Sequence, residues 1–274
     1  MEVADLHLHT TQSDGRLSVC ELIDVVALSN ASIFSITDHD TTNGLDAAAE
    51  YTKKYPHLRL IPGIELSADI DGDEIHVLGY FLDYQQVDFQ RKLTSFRDGR
   101  ITRAQMMIEK LSSLGMEVSW DRVQEIAGDG TIGRPHIALA LVEEGYFDLP
   151  KEAFVNHLNR TGLAYAEVPK ISPQEAVQLI KSVNGVAVLA HPFEITDMTK
   201  WIGILKEEGL DGLEVYYGNY GPSTVEHLLR LSRAYDLVPA GGSDFHGLGN
   251  PGEVRPGTVG TPIDIFDRLE RLVI

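Results

Sequence analysis

The alternation of short β-rich runs with helical patterns is the feature that most constrains the fold of this chain. Most of the runs with the composition of buried strands are separated by a segment of helical periodicity. The seven runs are residues 3–9, 32–37, 58–67, 74–83, 186–190, 212–217 and 238–241. This order predicts parallel βα units, and a length of 274 residues suits one closed βα barrel. The sequence therefore predicts an α/β fold with barrel-like closure.

Residues 99–162 interrupt this alternation, because they show helical periodicity and no strand pattern. Segments 101–114, 134–144 and 150–158 have the pattern of helices. We interpret 99–162 as a small helical insertion domain, so that the barrel is discontinuous and comprises residues 1–98 and 163–274. A cap over the substrate and an excursion that only stabilises the fold are the two alternatives for its role.

The overall charge limits the class of partner. The chain has 23 Lys and Arg against 41 Asp and Glu, a formal net charge of −18. Such a surface repels phosphate backbones and anionic membranes, so we expect neither a long duplex nucleic acid nor a membrane as partner. The single cysteine, Cys20, excludes an intramolecular disulfide and is typical of a reducing compartment. Because the N-terminus has no signal-peptide pattern, the expected location is the cytoplasm.

Histidines and carboxylates recur at the ends of the predicted strands. His7 and His9 are two residues apart, which places both imidazoles on one face of a strand. The carboxyl ends of parallel barrel strands meet on one face, so residues at those ends converge. The early position of His76 in its run is an exception and favours an antiparallel direction for that strand. The candidate ligands are His7, His9, Asp14, His39, Glu65, His76, His191, Asp244 and His246.

This ligand set predicts a metal cluster. Imidazole and carboxylate without thiolate favour Mn, Fe or Zn over Ca or Mg. Six histidines and three carboxylates exceed what one ion binds, which indicates two or three ions with a bridging carboxylate. Packing alone explains the set poorly, because clustered buried titratable groups cost free energy unless something neutralises them.

These motifs resemble the PHP (polymerase and histidinol phosphatase) domain family. The family's metal-binding motifs have as counterparts DLHLHTTQSDG, ITDHDT, GIELSAD, DEIHVLGY, AVLAHP and GGSDFHG. The segment GRPHIALALV, residues 133–142, further resembles the branch that contains 3′,5′-nucleotide phosphatases and 5′–3′ exoribonucleases. The resemblance implies a distorted (β/α)7 barrel with a trinuclear metal site at the strand carboxyl ends.

The resemblance also implies how the ions are shared. The first ion would be held by His7, His9, Glu65 and Asp244, the second by Asp14, His39 and His246, and the third by Glu65, His76 and His191, with Glu65 bridging. Manganese is the expected metal, with iron or zinc as alternatives. Asp14 stands where some family members have histidine, which leaves the identity of the metal open.

The resemblance implies a metal-dependent phosphoesterase. It would remove the 3′-phosphate of a nucleoside 3′,5′-bisphosphate (pAp to AMP and phosphate), or degrade short 5′-phosphorylated oligoribonucleotides in the 5′–3′ direction. A phosphatase of histidinol phosphate or of another small metabolite is the alternative, and GRPH disfavours the first of these. A non-catalytic, metal-stabilised binding module is a remote alternative, disfavoured by the complete ligand set. The general acid is open between a water on the metal, His191 and Asp40.

Substrate contacts are expected from the helical segment and from the residues that follow it. Arg134 stands at a helix start, where exposed amides and a guanidinium fork together suit a phosphate. The further candidates for substrate binding are His136, Arg100, Arg103 and Lys170. For each of them, a surface or capping role is the alternative.

Overall fold

The computed structural model describes residues 2–70, 73–168, 171–249 and 252–273. These residues contain one eight-stranded sheet in the order β7-β6-β5-β4-β3-β2-β1-β8. The strands are β1 (Val3–Asp5), β2 (Ala31–Ile36), β3 (Arg59–Ile70), β4 (Asp73–Tyr80), β5 (Val186–Leu189), β6 (Gly212–Tyr217), β7 (Val238–Gly242) and β8 (Thr261–Pro262). The amide of Leu6 donates to the carbonyl of Gly241 at 3.2 Å, which brings the ends of the sheet together into a nearly closed barrel. The predicted α/β barrel is confirmed.

Helices connect most of the strands. They are α1 (Val19–Ala27), α2 (Leu45–Thr52), α3 (Val87–Ser113), α4 (Trp120–Ala127), α5 (Arg134–Glu143), α6 (Pro150–Ala153), α7 (Pro173–Ser182), α8 (Met198–Glu207), α9 (Pro222–Ala234) and α10 (Ile263–Glu270). Local sequence explains their starts: at α1, Ser18 accepts from the amide of Glu21, and the Glu21 carboxylate accepts from the amide of Ser18. Among the described helices, none has the length and apolar character that crossing a bilayer requires.

Strand β4 runs against its neighbours. It pairs antiparallel with β3, where His76 lies opposite Ser67, and antiparallel with β5, where Val77 lies opposite Leu189. The position of His76 in the sequence favoured this direction, and the structure confirms it. Because β4 is reversed, a residue early in this strand lies at the same barrel mouth as residues late in its neighbours. The very short β8 was not predicted, since two residues carry no periodic signal.

The helices between β4 and β5 pack around an apolar cluster of their own, which includes Val123, Ile137 and Leu141. Helix α3 takes part in two clusters: Phe89 and Leu93 pack against the barrel, whereas Met107 and Leu111 pack among the helices. The predicted boundary between residues 98 and 99 therefore falls inside a continuous helix. Helix α4, only eight residues long, was not predicted. That residues 99–162 form an insertion domain stays a prediction.

Candidate metal centre

Glu65 lies at the middle of the candidate centre and is almost fully buried. Five of the predicted histidines surround its carboxylate at 2.8 to 3.3 Å: His7, His9 and His39 face Oε2, and His76 and His191 face Oε1. These histidines come from three strand ends, those of β1, β2 and β5, and from β4. One carboxylate with imidazoles on both oxygens has the arrangement of a bridging ligand.

Two further carboxylates complete the cluster. Oδ1 of Asp244 lies 3.2 Å from Nε2 of His7 and 3.1 Å from Nε2 of His9. On the other side of His9, Oδ1 of Asp14 lies 3.4 Å from Nε2 of His246. The rings of His9 and His246 stack with centroids 4.1 Å apart. The structure therefore brings all nine candidate ligands together.

Three overlapping groups in the described residues have ligand atoms within 4.8 Å of one another. They are His9, Asp14, His39 and His246; His7, His9 and Glu65; and His39, Glu65 and His76. These groups resemble the three sets implied by the family resemblance, but His9 and His39 are each shared between two groups. The assignment of particular ligands to particular ions stays a prediction.

The donor atoms of this cluster test whether it suits cations. Several of its atoms are buried and have no hydrogen-bond partner within the described structure: Nε2 of His7, both ring nitrogens of His9, Oδ1 of Asp14, Nδ1 of His39 and Oε2 of Glu65. Leaving so many buried polar atoms unsatisfied is costly, and a cation among them would satisfy them together. Nitrogen and carboxylate donors match divalent transition metals. The residues present therefore fit divalent metal ions.

The pKa shifts within the cluster also favour the binding of cations. Burial raises the pKa of the Glu65 carboxyl, but the surrounding imidazoles, His39 foremost, hold that pKa well below its usual range. Burial lowers the pKa of His76, yet the charges of Glu65 and Glu74 raise it to about 10. The pKa of His246 is likewise raised to about 10, against the effect of burial, by Asp14 and Asp244. The carboxylates are thus ionised, and they keep the imidazoles of His76 and His246 protonated.

Backbone strain accompanies the site. Asp40, His191 and Asp244 are non-glycine residues with positive φ, at 54°, 27° and 53°. Each of them follows the end of a strand, where the chain must turn while it presents a side chain to the barrel mouth. Such conformations cost free energy and persist where surrounding contacts hold them.

Some of these contacts come from Glu214, which is not among the site residues predicted from the sequence. Glu214 lies on β6 and is fully buried. Its Oε1 lies 2.9 Å from Nδ1 of His7, and its Oε2 accepts a hydrogen bond from the amide of His191 at 2.6 Å. An acidic residue inside an otherwise apolar strand is rarely buried without a partner, and this was the signal available in the sequence.

Asp38, and the contact that Tyr217 makes with a candidate ligand, were not predicted either. Asp38 accepts hydrogen bonds from the amide and hydroxyl of Thr10, at 2.8 and 2.6 Å, and from the hydroxyl of Ser13 at 2.6 Å. It therefore anchors the loop that carries Asp14. The hydroxyl of Tyr217 donates to Oδ2 of Asp244 at 2.8 Å. Asp38 and Tyr217 thus fix the positions of metal-ligating residues without being candidate ligands themselves.

The arginines predicted to contact substrate make ion pairs with carboxylates beside the cluster. Nε of Arg100 lies 2.6 Å from Oδ2 of Asp40, the residue after His39. Nη2 of Arg134 lies 2.7 Å from Oε2 of Glu74, whose other oxygen is 3.5 Å from Nε2 of His76. Each of the two arginines thus pairs with a carboxylate that is next to a candidate metal ligand, in the sequence for Asp40 and in space for Glu74.

The remaining substrate candidates differ in their surroundings. His136 is buried, and its Nδ1 accepts a hydrogen bond from the amide of Gly133 at 2.9 Å, so it caps the start of α5. Arg103 is buried on α3. Lys170 lies outside the described residues. A contact between any of these residues and substrate stays a prediction.

Comparisons with known proteins agree with this geometry, although no family model matches the chain. The chain is 31% identical over 246 residues to a 5′–3′ exoribonuclease of Haemophilus influenzae, covering 88% of this chain and 89% of the relative. It is 30% identical over 255 residues to a 3′,5′-nucleoside bisphosphate phosphatase of Chromobacterium violaceum, covering 90% and 88%. A crystal structure assigned as a metal-dependent phosphoesterase, from Bifidobacterium adolescentis, superposes with a TM-score of 0.89 at 30% identity and covers 100% of this chain and 97% of that one.

The fold, the ligand cluster and these relatives define a class: the protein is a metal-dependent hydrolase of phosphoric esters. More closely, the chain belongs to the PHP family, in the branch that contains 5′–3′ exoribonucleases and 3′,5′-nucleoside bisphosphate phosphatases. The expectation drawn from the sequence motifs is confirmed at this level.

Proposed function

We propose that this protein hydrolyses the 3′-phosphate of nucleoside 3′,5′-bisphosphates, converting pAp to AMP and phosphate, or degrades short 5′-phosphorylated oligoribonucleotides from their 5′ end. Both reactions attack phosphorus on the 3′ side of a sugar whose 5′ side carries a phosphate. The observation that carries the proposal is the placement of arginines beside the cluster, through the Arg100–Asp40 and Arg134–Glu74 pairs. The metal cluster would bind the phosphate that is hydrolysed, and the nearby arginines would bind a second one. This arrangement suits a substrate that carries two phosphates.

The chemistry needs cations at the centre. We propose two or three divalent ions, with manganese as the expected metal and iron or zinc as alternatives, held by His7, His9, Asp14, His39, Glu65, His76, His191, Asp244 and His246. When bound, such ions neutralise phosphate charge and make a water molecule more acidic. The carboxylates of the chain are ionised and ready to bind them, since the pKa values of Asp14 and Glu65 lie well below their usual range.

The chain's own residues narrow the choice of general acid. Asp40 accepts hydrogen bonds from Arg100 and from the amide of Ser67. Burial raises the pKa of Asp40, but Arg100 and these hydrogen bonds hold it below its usual value. An ionised carboxylate has no proton to give, so we disfavour Asp40. His191, with Nε2 3.2 Å from Oε1 of Glu65, is itself a proposed metal ligand, so that nitrogen is a proton donor only when it does not bind an ion.

The helical segment would supply the binding of the second phosphate. Arg100, Arg103, Arg134 and His136 all belong to residues 99–162, the proposed insertion. Their position beside the barrel mouth supports a role for this segment as a substrate cap. The paired arginines hold their guanidinium groups in fixed positions, which lowers the entropy cost of gripping a phosphate.

Phosphate release tests the proposal. The manganese-loaded protein would be assayed with pAp, histidinol phosphate, AMP and a 5′-phosphorylated trinucleotide. We expect rapid conversion of pAp to AMP with AMP itself spared, or stepwise release of 5′-nucleotides from the trinucleotide. The variant His191→Ala, purified in parallel, guards against a contaminating phosphatase. Activity on histidinol phosphate alone would overturn the proposal and favour the alternative small-metabolite phosphatase.

A further inference from the structure

A cavity of about 310 Å³ opens beside the metal centre, where the chain leaves β6 and β7. Asp244, a candidate metal ligand, lies on its inner side together with Tyr217, whose hydroxyl donates to that carboxylate at 2.8 Å. Tyr220 and Asn219 also line the cavity. Its volume is at the lower end of the ~300–1,000 Å³ typical of ligand pockets, so it suits a small group such as one nucleoside.

This cavity lies across the barrel mouth from Arg100. Arg100 contacts Asp40, which follows β2, and Ser67, which lies on β3. Because the barrel closes between β7 and β1, β6 is three strands away from β3 in one direction and three strands away from β2 in the other. The metal centre lies between the two sides. A substrate whose 5′-phosphate is held on the arginine side would therefore extend past the centre toward this cavity.

Three aromatic rings lead from the metal centre to the protein surface along this side. The ring of Tyr217 is 5.7 Å from the imidazole of His191, and the ring of Tyr220 is 4.8 Å from that of Tyr217. Phe193 follows at 5.9 Å from Tyr220 and is 57% exposed. We call Tyr217, Tyr220 and Phe193 the aromatic shelf. Nucleic-acid bases stack on such rings with little regard to sequence, since every base has a π-face.

Hydrogen bonds hold the aromatic shelf and the wall that faces it in place. The hydroxyl of Tyr220 accepts from the amide of Phe193 at 3.1 Å, and the side-chain amide of Asn219 donates to the carbonyl of Gly252 at 2.7 Å. The carboxylate of Glu253 accepts hydrogen bonds from backbone amides of the loop that follows β7. Walls that are already formed reduce the entropy cost of binding a ligand group.

The charges around the cavity indicate which group it binds. The described residues that line it include the carboxylates of Glu194, Asp244 and Glu253 and no lysine or arginine. A phosphate would be repelled by this lining, whereas an uncharged base would not. The cavity therefore has the opposite preference to the Arg100 side of the mouth.

We propose that the aromatic shelf binds the base of the nucleotide on the 3′ side of the cleaved phosphate, and so favours short oligoribonucleotides over nucleoside bisphosphates. The inference rests on the proposed function for the class of substrate. Hydrolysis joins a water oxygen to phosphorus and breaks the bond between phosphorus and O3′ of the 5′-terminal nucleoside, which takes up a proton. The phosphate stays on the second nucleotide, whose base lies on the shelf. In pAp there is no second nucleotide, so the shelf adds nothing to its binding.

The test compares pApA, which has a second nucleotide, with pAp, using the manganese-loaded protein. Tyr220→Leu removes a stacking face and keeps an apolar side chain. We expect it to raise KM for pApA by roughly 5- to 100-fold, the range for the loss of one base–aromatic stack, and to leave KM for pAp unchanged. Tyr220→Phe keeps the ring and should retain most of the affinity for pApA.

Tyr146→Leu is the matched control. Tyr146 lies beyond the end of α5 and is 38% exposed, and its hydroxyl accepts from a backbone amide, as that of Tyr220 does. This variant should change KM for neither substrate. If Tyr220→Leu does not fold, Phe193→Ala, at an exposed ring, takes its place, and we expect a higher KM for pApA alone.

Two results with these variants would overturn the proposal. An unchanged KM for pApA would show that no base lies on the shelf. A parallel rise in KM for pApA and pAp would show that the shelf serves the 5′-terminal nucleoside or only supports the fold.

The same two nucleotides separate this inference from the proposed function. Wild-type protein that hydrolyses pAp but not pApA would overturn the shelf and leave the proposed function standing. If it hydrolyses neither, the proposed function fails, and calorimetric binding of pApA and pAp then tests the shelf. We expect tighter binding of pApA by the wild type and loss of the difference in Tyr220→Leu. Equal affinities of the wild type for pApA and pAp would overturn the shelf.

Discussion

Glu214 orients His7: the Oε1 atom of this buried carboxylate lies 2.9 Å from Nδ1 of the imidazole. The contact positions the imidazole so that its Nε2 faces Glu65 and Asp244. The second oxygen of Glu214 holds the amide of His191, whose backbone has a positive φ. One side chain on β6 thus supports ligands that follow the ends of two other strands, β1 and β5.

Glu214→Gln should therefore weaken metal binding. We expect a loss of about 10- to 100-fold in affinity for Mn²⁺, the range typical when a partner behind a ligand is changed. Competition with a fluorescent chelator measures the affinity directly. Glu226→Gln, on the exposed face of α9, is the matched control and should leave the affinity unchanged. Equal affinities for wild type and Glu214→Gln would show that Glu214 does not orient the ligands.

Metal binding should release protons at pH 7. Burial lowers the pKa of His76, but the charges of Glu65 and Glu74 raise it to about 10, so its imidazole carries a proton before a cation arrives. That proton must leave when the nitrogen binds metal, and the apparent affinity should rise with pH up to that value. Calorimetric titration with Mn²⁺ in two buffers of different ionisation enthalpy counts the protons. Heats that do not depend on the buffer would contradict this assignment.

Asp38→Ala should destabilise the loop that carries Asp14. The substitution leaves three buried donors of Thr10 and Ser13 without an acceptor, which should cost about 3 kcal/mol or more in the free energy of unfolding. Denaturant unfolding of the metal-free protein measures this cost without interference from bound ions. Asp88→Ala, at an exposed carboxylate, serves as the control. A change no larger than that of the control would mean that the loop is held by other contacts.

Arg134→Ala should affect substrate binding without affecting metal content. Arg134 pairs with Glu74, and no candidate metal ligand contacts it directly in the described residues. We expect a higher KM for pAp, or a weaker preference for substrates that carry a 5′-phosphate, with unchanged kcat for adenosine 3′-monophosphate. Metal analysis of the same samples is the second readout. Loss of bound metal in this variant would refute the assigned role.

The sequence predicted the parts of the site whose signals are local. The spacing of His7 and His9 predicted that both imidazoles reach the same centre, which they do at Glu65, although β1 ends at Asp5 and the predicted strand over residues 3–9 is too long. The early position of His76 favoured an antiparallel strand that the structure confirms. The convergence of the ligands followed from strand direction alone. Barrel closure and the α/β class needed only the alternation of elements.

What the sequence did not predict depends on long-range contacts. Glu214 and His7 are 207 positions apart, and a single acid in a strand does not say which group it will meet. The sequence also did not show which carboxylate pairs with each arginine, because the partners of Arg100 and Arg134 lie on other elements of the fold. The start of α3 was missed because the helix is amphipathic toward two different clusters along its length.

The most direct test of the central claim is the metal content of protein purified without chelator and then equilibrated with Mn²⁺. Elemental analysis against protein concentration gives the number of ions per chain. We expect two or three ions per chain. Less than one ion per chain, with no uptake of added Mn²⁺, would contradict a metal-dependent active site and favour a non-catalytic module.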